Sequence, residues 1–223
     1  MTKLKKMKKN IKGRDFITGD IHGSFDLLMK KIESVNFNPL VDRLISVGDI
    51  INKGNDSDST INLLDQEWFH PVLGNHEWMM LEWYDYGNYL DTLRRYGGKW
   101  FLRKEREEQG IIVDKLREIP IAIELDVGDI SIGVIHAEVP YDNWKTFVKE
   151  LNGKYPEKLI SEAVWSRVKI DTMDKTKVKG IKEVYVGHTI VEKQLQLGNV
   201  NYIDTGAFYY GNMTLINLTE KYN

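Results

Sequence analysis

The sequence predicts an α/β fold. Short apolar, β-branched runs each end abruptly in Gly followed by polar residues, and helical patterns separate one run from the next. With 223 residues, 42% of them hydrophobic and 29% charged, the chain is long enough to bury a substantial core. No internal repeat, low-complexity tract or long linker divides it, so residues 15–223 read as one domain behind a basic, flexible N-terminal tail at 1–14.

The first run, Phe16-Ile17-Thr18, leads into Gly19-Asp20-Ile21-His22-Gly23. Ser24 then caps an expected helix in which Leu27, Leu28, Ile32 and Val35 recur at helical spacing. Leu44 to Val47 runs into Gly48-Asp49, with a short helix expected from about Ser57 to Leu64. The acidic stretch Asn55-Asp56-Ser57-Asp58 caps that helix; it lacks the Gly and distal Glu that a calcium loop needs. Pro71-Val72-Leu73 ends in Gly74-Asn75-His76-Glu77, and a helix carrying Met79, Met80 and Trp83 follows. From Trp83 to Glu108 the chain is rich in Trp, Tyr, Arg and Glu without a strand pattern, which predicts a helical excursion; its aromatics Trp83, Tyr84, Tyr86, Tyr89, Trp100 and Phe101 are expected to pack internally, with a substrate groove as the alternative. Ile121–Leu125 and Ile130–Ile135, joined by Asp126-Val127-Gly128-Asp129, form a predicted hairpin that runs into His136. Helices are expected around Trp144 to Leu151 and Glu157 to Arg167, and closing strands at Val184–Gly187, Gln194–Ile203 in two pieces, and Met213–Leu218.

Composition excludes several classes. Lys+Arg of 31 against Asp+Glu of 33 gives a net charge of -2, so no overall basic field holds nucleic acid, and none is expected as a partner. With no cysteine, thiolate catalysis, zinc fingers and iron–sulfur clusters are out, and any metal must be held by His, Asp, Glu, Asn or backbone oxygen. No apolar run approaches the ~20 residues of a membrane helix, and the Lys-rich start lacks the apolar segment of a secretory signal, so the expected location is the cytoplasm with no membrane partner.

Ligands of open α/β sheets bind beyond the carboxyl ends of the strands. Five predicted strands end in metal-competent side chains: Asp20 with His22, Asp49, Asn75 with His76, His136 and His188. Each residue alone has an ordinary explanation, as a turn cap or a packing His. Together they would meet at one rim. Oxygen and imidazole donors without thiolate suit two ions such as Mn²⁺, Fe or Zn²⁺, which would clamp phosphate oxygens and lower the pKa of a shared water for in-line attack.

These residues resemble the calcineurin-like metallophosphoesterases, and within them the protein-serine/threonine phosphatases. The resemblance rests on Gly19-Asp20-Ile21-His22-Gly23, Gly48-Asp49-Ile50-Ile51-Asn52-Lys53-Gly54, Gly74-Asn75-His76-Glu77, His136-Ala137 and Gly187-His188-Thr189. It extends to Val164-Trp165-Ser166-Arg167, to Tyr202-Ile203-Asp204-Thr205-Gly206-Ala207 and to overall length, where a phage-encoded member is similar, implying a host cytoplasm. The implied fold is a central β-sandwich flanked by helices. The implied cofactor is a pair of divalent ions, Mn²⁺ first, with Fe, Zn or Ni as alternatives. Asp20 and His22 would hold one ion, Asn75, His136 and His188 the other, and Asp49 would bridge them. His76 would be the general acid. Arg167 would hold phosphate oxygens through a bidentate fork, Lys53 and Asn75 would contact the same phosphate, and Glu77 would orient the turn that carries His76. His70 belongs to no motif and is assigned a packing role.

The second motif departs from the family's Gly-Asp-x-x-Asp-Arg-Gly, reading Asn52-Lys53-Gly54 at its end. Asn52 is expected to accept a hydrogen bond from His76 without supplying negative charge, leaving the imidazole less readily protonated. Lys53 keeps a positive charge but replaces a planar fork by a point charge. The leading expectation is a phosphomonoesterase acting on phosphoserine, phosphothreonine and also phosphotyrosine in proteins. The alternatives are a nucleotide or cyclic-nucleotide phosphodiesterase or dinucleoside polyphosphate hydrolase using the same site, and a metal-retaining pseudophosphatase that binds phosphorylated partners. The sequence sets no oligomeric state.

Overall fold

Strands and helices alternate as the pattern predicts. The computed structural model describes residues 3–154 and 156–222. Among them the strands are β1 (Leu4–Met7), β2 (Asp15–Thr18), β3 (Arg43–Ser46), β4 (Phe69–Pro71), β5 (Ala122–Asp126), β6 (Ser131–Ile135), β7 (Val184–Val186), β8 (Leu195–Leu197), β9 (Val200–Tyr202) and β10 (Leu215–Asn217). They assort into a six-stranded sheet in the order β1-β5-β6-β7-β9-β8 and a four-stranded sheet in the order β10-β2-β3-β4.

Both sheets are mixed. β2, β3 and β4 run parallel, as do β6, β7 and β9, while β10 pairs antiparallel with β2, β5 with β6 and β8 with β9. The parallel strands carry apolar residues on both faces because both faces are covered. One face of each sheet meets the other: Ile17, Ile45, Val47 and Val72 join Ile123, Leu125, Ile132, Val134, Tyr185 and Ile203 in a single buried cluster. The outer faces pack against helices, through Leu28, Met80, Trp144 and Phe147 among others. This is the expected helix-flanked β-sandwich.

The Lys-rich start departs from expectation. Residues 4–7, placed by the sequence in a flexible tail, form β1 and pair in parallel with β5, Leu4 opposite Ala122 and Met7 opposite Leu125. Met7 is buried among the inter-sheet residues, and Lys6 and Lys8 pair with Glu124 and Asp126 of β5. A four-residue strand with two apolar positions carries no pattern of its own; β5 supplies the pairing edge. Residues 1 and 2 of that tail lie outside the described residues.

Two local details also differ. Ser24 precedes the helix Phe25–Ser34 but makes no side-chain cap, whereas Asp56 does cap the helix Ser57–Asn62, accepting from Ser59 N at 2.8 Å. β4 sits earlier than the expected Pro71–Leu73, at Phe69–Pro71, and Val72 and Leu73 instead donate to Ser46 and Pro120 carbonyls as the chain turns into the site.

The excursion consists of short helices at Leu90–Arg95 and Lys99–Leu102 between the long helices Asn75–Tyr86 and Arg106–Arg117. Its aromatics pack internally in part, with Trp83 edge-on to Phe101 at 5.7 Å and Arg106 over Tyr84 at 3.4 Å. No helix among the described residues is long and apolar enough to cross a membrane.

Gly133 in β6 shows how tightly the outer layer sits. The Trp144 ring, anchored by Nε1–H donating to Glu124 Oε2 at 2.7 Å, lies where a Cβ on Gly133 would come within 2.6 Å. Gly133→Ala should therefore cost about 1–3 kcal/mol through displacement of the indole, read as a lower urea midpoint at unchanged m-value.

Candidate active site

The carboxyl ends of β2, β3, β6, β7 and β9 and the loop after β4 converge on one rim. Asp20 and His22 follow β2, Asp49 follows β3, Asn75 and His76 open the helix Asn75–Tyr86, His136 follows β6 and His188 follows β7. Asn52 and Lys53 lie in the turn after Asp49, and Arg167 follows the helix Glu157–Trp165. A cavity of about 500 Å³ opens there, lined by Asp49, Asn75, His76 and His188 and flanked by Lys53 and Arg167. The structure thus brings together all ten residues singled out in the sequence.

The turns are unusual in conformation. His22, Asp49, Asn52, Lys53 and His188 all adopt positive φ, between 46° and 68°, a region that non-glycine residues occupy at a cost and that recurs at functional sites. The strand-end glycines have a separate reason. A Cβ on Gly187 would overlap Asp20 Oδ1, and one on Gly74 would overlap Asp49 Oδ1. The two carboxylates occupy the space that any larger residue would fill.

Glu77 locks the arrangement from behind. Its buried carboxylate accepts hydrogen bonds from the backbone N–H groups of Gly74, Asp49, Ile50 and Ile51, at 2.9–3.2 Å. Burial and the nearby Asp49 charge push Glu77 up to about 7, against the pull of these amides. His76 N in turn donates to Asp49 Oδ1 at 2.9 Å, so the helix N-terminus holds the Asp49 carboxylate in place.

The donor set fits metal ions. His22 Nε2 lies 3.5 Å from Asp49 Oδ2 and 3.8 Å from Asp20 Oδ2. On the other side of Asp49, His136 Nε2 lies 3.5 Å from Oδ1, and Asn75 Oδ1 is 2.9 Å from both His136 Nε2 and His188 Nδ1. Three rings share one design. The outer nitrogen faces a backbone carbonyl, His22 Nδ1 on Ile51 O at 3.1 Å, His136 Nδ1 on Val47 O at 2.8 Å and His188 Nε2 on Trp165 O at 3.2 Å. For His22 and His136, donating there leaves Nε2 with its lone pair turned to the site, the tautomer a metal ligand requires; His188 Nε2 meets the Arg167 Nε–H donor as well as the carbonyl, so the carbonyl alone does not set its tautomer.

The pKa shifts of His22 and His188 agree with neutral ligand rings. Burial holds His22 well below the usual imidazole range and brings His188 down to about 3. Burial opposes charge on His136 as well, but the Asp49 carboxylate and its hydrogen bond raise it. Burial, with the charges of Asp204 and Asp49, raises Asp20 well above a normal carboxylate. Asp49 itself, despite burial, is held well below the usual value by His136, His76 and His22. The buried Asp49 carboxylate, with neutral His22 and His188 beside it and Asp20 penalised for carrying its own charge, makes a site with a standing demand for cations. His/Asp groups that could hold metal centre on Asp49, one with His136 and His188 and one with His22 and His76.

His76 is built differently from the other three. Its Nε2 faces the cavity 3.9 Å from Asp49 Oδ2, but its Nδ1 meets the side-chain nitrogen of Asn52 at 3.0 Å, with no carbonyl behind it. Burial brings it down to about 4, with the Lys53 charge adding to the effect and Asp49 opposing it. The expectation that Asn52 accepts a hydrogen bond from His76 is corrected here. Asn52 Oδ1 is taken by the Trp100 indole N–H at 2.8 Å, and the amide presents its NH₂ to the ring.

The two phosphate-binding candidates approach from opposite sides. Lys53 Nζ sits 2.8 Å from His22 Nε2 and 5.6 Å over the Tyr209 ring, and Arg167 Nε sits 3.2 Å from His188 Nε2. His70 is remote, hydrogen-bonded to Lys5 Nζ at 3.0 Å beneath the sheet edge.

Sequence reasoning gave no site role to Asp204, Tyr96 or Tyr209, and favoured internal packing for Trp100, whose indole reaches Asn52. Asp204 is buried directly after β9, caps Gly206 N at 2.9 Å and adds a further carboxylate to the rim. Asp204 also follows an apolar strand, but the Gly that precedes Asp20 and Asp49 is absent there, Gly206 coming two residues after it. Trp100 and Gly97 reach the site from the excursion, where no local pattern points to it. A Cβ on Gly97, whose φ is +95°, would overlap Lys53 N.

Comparison with known proteins agrees with this geometry. The chain is 30% identical over 211 residues to serine/threonine-protein phosphatase 2 of Salmonella typhimurium strain LT2, covering 91% of this chain and 92% of that protein. It is 37% identical over 65 residues to the symmetrical bis(5'-nucleosyl)-tetraphosphatase of Xanthomonas axonopodis pv. citri, covering 28% and 21% of the two chains. Its fold is similar to the crystal structure of a putative diadenosine tetraphosphatase, with a TM-score of 0.66 at 20% identity over 96% of this chain and 93% of that one. The sequence model of the calcineurin-like phosphoesterases matches residues 16–207, from β2 to the segment just past Asp204, and the chain belongs to that family.

Proposed function

We propose that this protein is a phosphomonoesterase that uses two divalent ions, Mn²⁺ first among them, to remove phosphate from serine and threonine side chains of phosphorylated proteins. One observation carries the reading: imidazole, carboxylate and amide donors stand on both sides of Asp49, each ligand ring backed by a carbonyl, in a chain alignable over nine-tenths of its length with a serine/threonine-protein phosphatase. Asp20, His22 and Asp49 would hold one ion, and Asp49, Asn75, His136 and His188 the other. Ions so held supply Lewis acidity, withdrawing charge from phosphoryl oxygens and acidifying water.

The chain's own residues do the rest. Arg167 and Lys53 bracket the cavity and bind the phosphate's remaining oxygens, Arg167 as a fork and Lys53 as a point charge. Asn75 Oδ1 stands 2.9 Å from both His136 Nε2 and His188 Nδ1, so the three atoms converge as donors on one point. His76 Nε2 faces the cavity and meets the departing oxygen. Glu77 holds the turns that carry Asp49 and His76 at fixed separation.

A second reading, a dinucleoside polyphosphate hydrolase, is favoured by the 65-residue similarity to a bis(5'-nucleosyl)-tetraphosphatase. The two differ in leaving group. An alkoxide from serine needs a proton, whereas a phosphate leaving from an anhydride is already stable as an anion.

Stripped of metal, the protein should lose turnover of para-nitrophenyl phosphate and of a phosphothreonine peptide, and regain both with Mn²⁺. His76→Asn should lower peptide turnover by about 10²–10⁴-fold, the usual contribution of a positioned acid. Turnover of diadenosine tetraphosphate in place of the peptide would select the second reading. Asn52→Asp should raise turnover of poor leaving groups. A carboxylate beside His76 stabilises the imidazolium and raises its pKa, so the basic limb of the rate profile should move to higher pH; an unmoved limb would contradict the acid role. Lys53→Arg should shift the ratio of phosphopeptide to cyclic-nucleotide turnover, measured side by side, and an unchanged ratio would count against a role for Lys53 in specificity.

A further inference from the structure

Asn52 has no exposed surface, and its side chain meets Trp100 Nε1 at 2.8 Å and His76 Nδ1 at 3.0 Å. An amide is symmetrical enough in shape to fit either way round, so its orientation must come from its partners. Here one partner leaves no choice. The indole N–H is a donor with no acceptor capacity, so it must meet the amide oxygen, which forces the NH₂ toward His76. An NH₂ group donates, so His76 Nδ1 must present its lone pair, and a neutral ring then carries its proton on Nε2, the nitrogen that faces the cavity. The reversed amide would set the buried Asn52 NH₂ against the indole N–H, two donors with no acceptor between them.

Trp100 is itself held from two directions. Lys104 Nζ lies 5.6 Å over its ring and is tied to Asp58 at 2.9 Å, and Phe101 packs edge-on at 5.9 Å. Gly97, three residues earlier, seats the excursion against the Lys53 backbone. The Asn52 backbone is fixed independently by its N–H donating to Ser57 Oγ at 2.9 Å, so the side-chain amide is the element left to be set.

We propose that Trp100 is a positioning residue: through Asn52 it places the His76 proton on Nε2, so that the site offers its leaving group a hydrogen-bond donor whose direction is set from the helical excursion. The consequence for catalysis rests on the reading of His76 as the group that meets the departing oxygen. The placement of the proton does not.

The test uses the full-length protein loaded with diamagnetic Zn²⁺ and ¹⁵N-labelled at histidine. Long-range ¹H–¹⁵N correlation reports which ring nitrogen of His76 bears the proton, a signature that a merely structural role for Trp100 would leave unchanged. Wild type should show the proton on Nε2. Trp100→Phe keeps a ring in the same space, frees the amide to turn and should move population toward Nδ1–H, on the order of fivefold for the loss of one hydrogen bond. Asn52→Asp leaves the indole untouched and accepts at both oxygens; in the neutral ring, read at a pH above its titration, it should move the proton to Nδ1 as well, whereas the imidazolium that this carboxylate favours at lower pH carries a proton on both nitrogens, so the proposal stays testable if Trp100→Phe does not fold. Wild-type His76 with its proton on Nδ1, or a tautomer unmoved in both variants, would overturn the proposal.

Relative turnover of para-nitrophenyl and alkyl phosphates by Trp100→Phe tests the catalytic reading separately. A changed tautomer with an unchanged ratio would support the positioning role while removing His76 from the leaving-group step.

Discussion

A single buried carboxylate organises the catalytic end of this molecule. Glu77 gathers four backbone N–H groups, three from the turn after β3 and one from the turn after β4, and neither turn has another way to satisfy them away from water. Because its own backbone lies in the first turn of the helix Asn75–Tyr86, it converts two strand ends and a helix start into one rigid body. Asp49 hangs from one side of that body and His76 from the other. Side chains that must meet within a few ångströms cannot be left to independent loops, and this latch removes the independence.

The crowding around Asp49 follows from the same rigidity. Gly74 and Gly187 are small because carboxylate oxygens occupy the space beside their Cα atoms, and five non-glycine residues accept positive φ so that their side chains point inward together. Such conformations cost of order 1–3 kcal/mol each and persist only where the surroundings leave no alternative. The two core layers supply that constraint, one between the sheets and one beneath the helices. Stability stored in the sandwich is spent at its rim.

The rim was legible in the sequence because it is punctuated locally. A strand, a glycine and an Asp or His stand next to one another in the chain, and the rule that ligands gather at strand ends converts adjacency in sequence to adjacency in space. The rest was less legible for physical reasons. β1 has only Leu4 and Met7 to mark it, and its strand character comes from β5, over a hundred residues away. Asn52 was readable as a departure from a motif, but the direction of its hydrogen bond was not, since that depends on Trp100, a residue whose neighbours give no hint of the site. Ser24 has the right chemistry for a cap and does not form one, because its own φ and ψ lie outside the capping geometry.

The Lys-rich opening segment has one more consequence. β1 is the outermost strand of the six-stranded sheet, and such an edge exposes unpaired backbone groups to any other extended chain. Lys5 turns toward His70 and Lys6 and Lys8 turn back onto Glu124 and Asp126, so an incoming strand would have to desolvate ammonium groups already engaged with the sheet. Charge at that edge discourages sheet-to-sheet aggregation between copies, and the lysines that look like a solvated tail act as the sheet's gatekeepers.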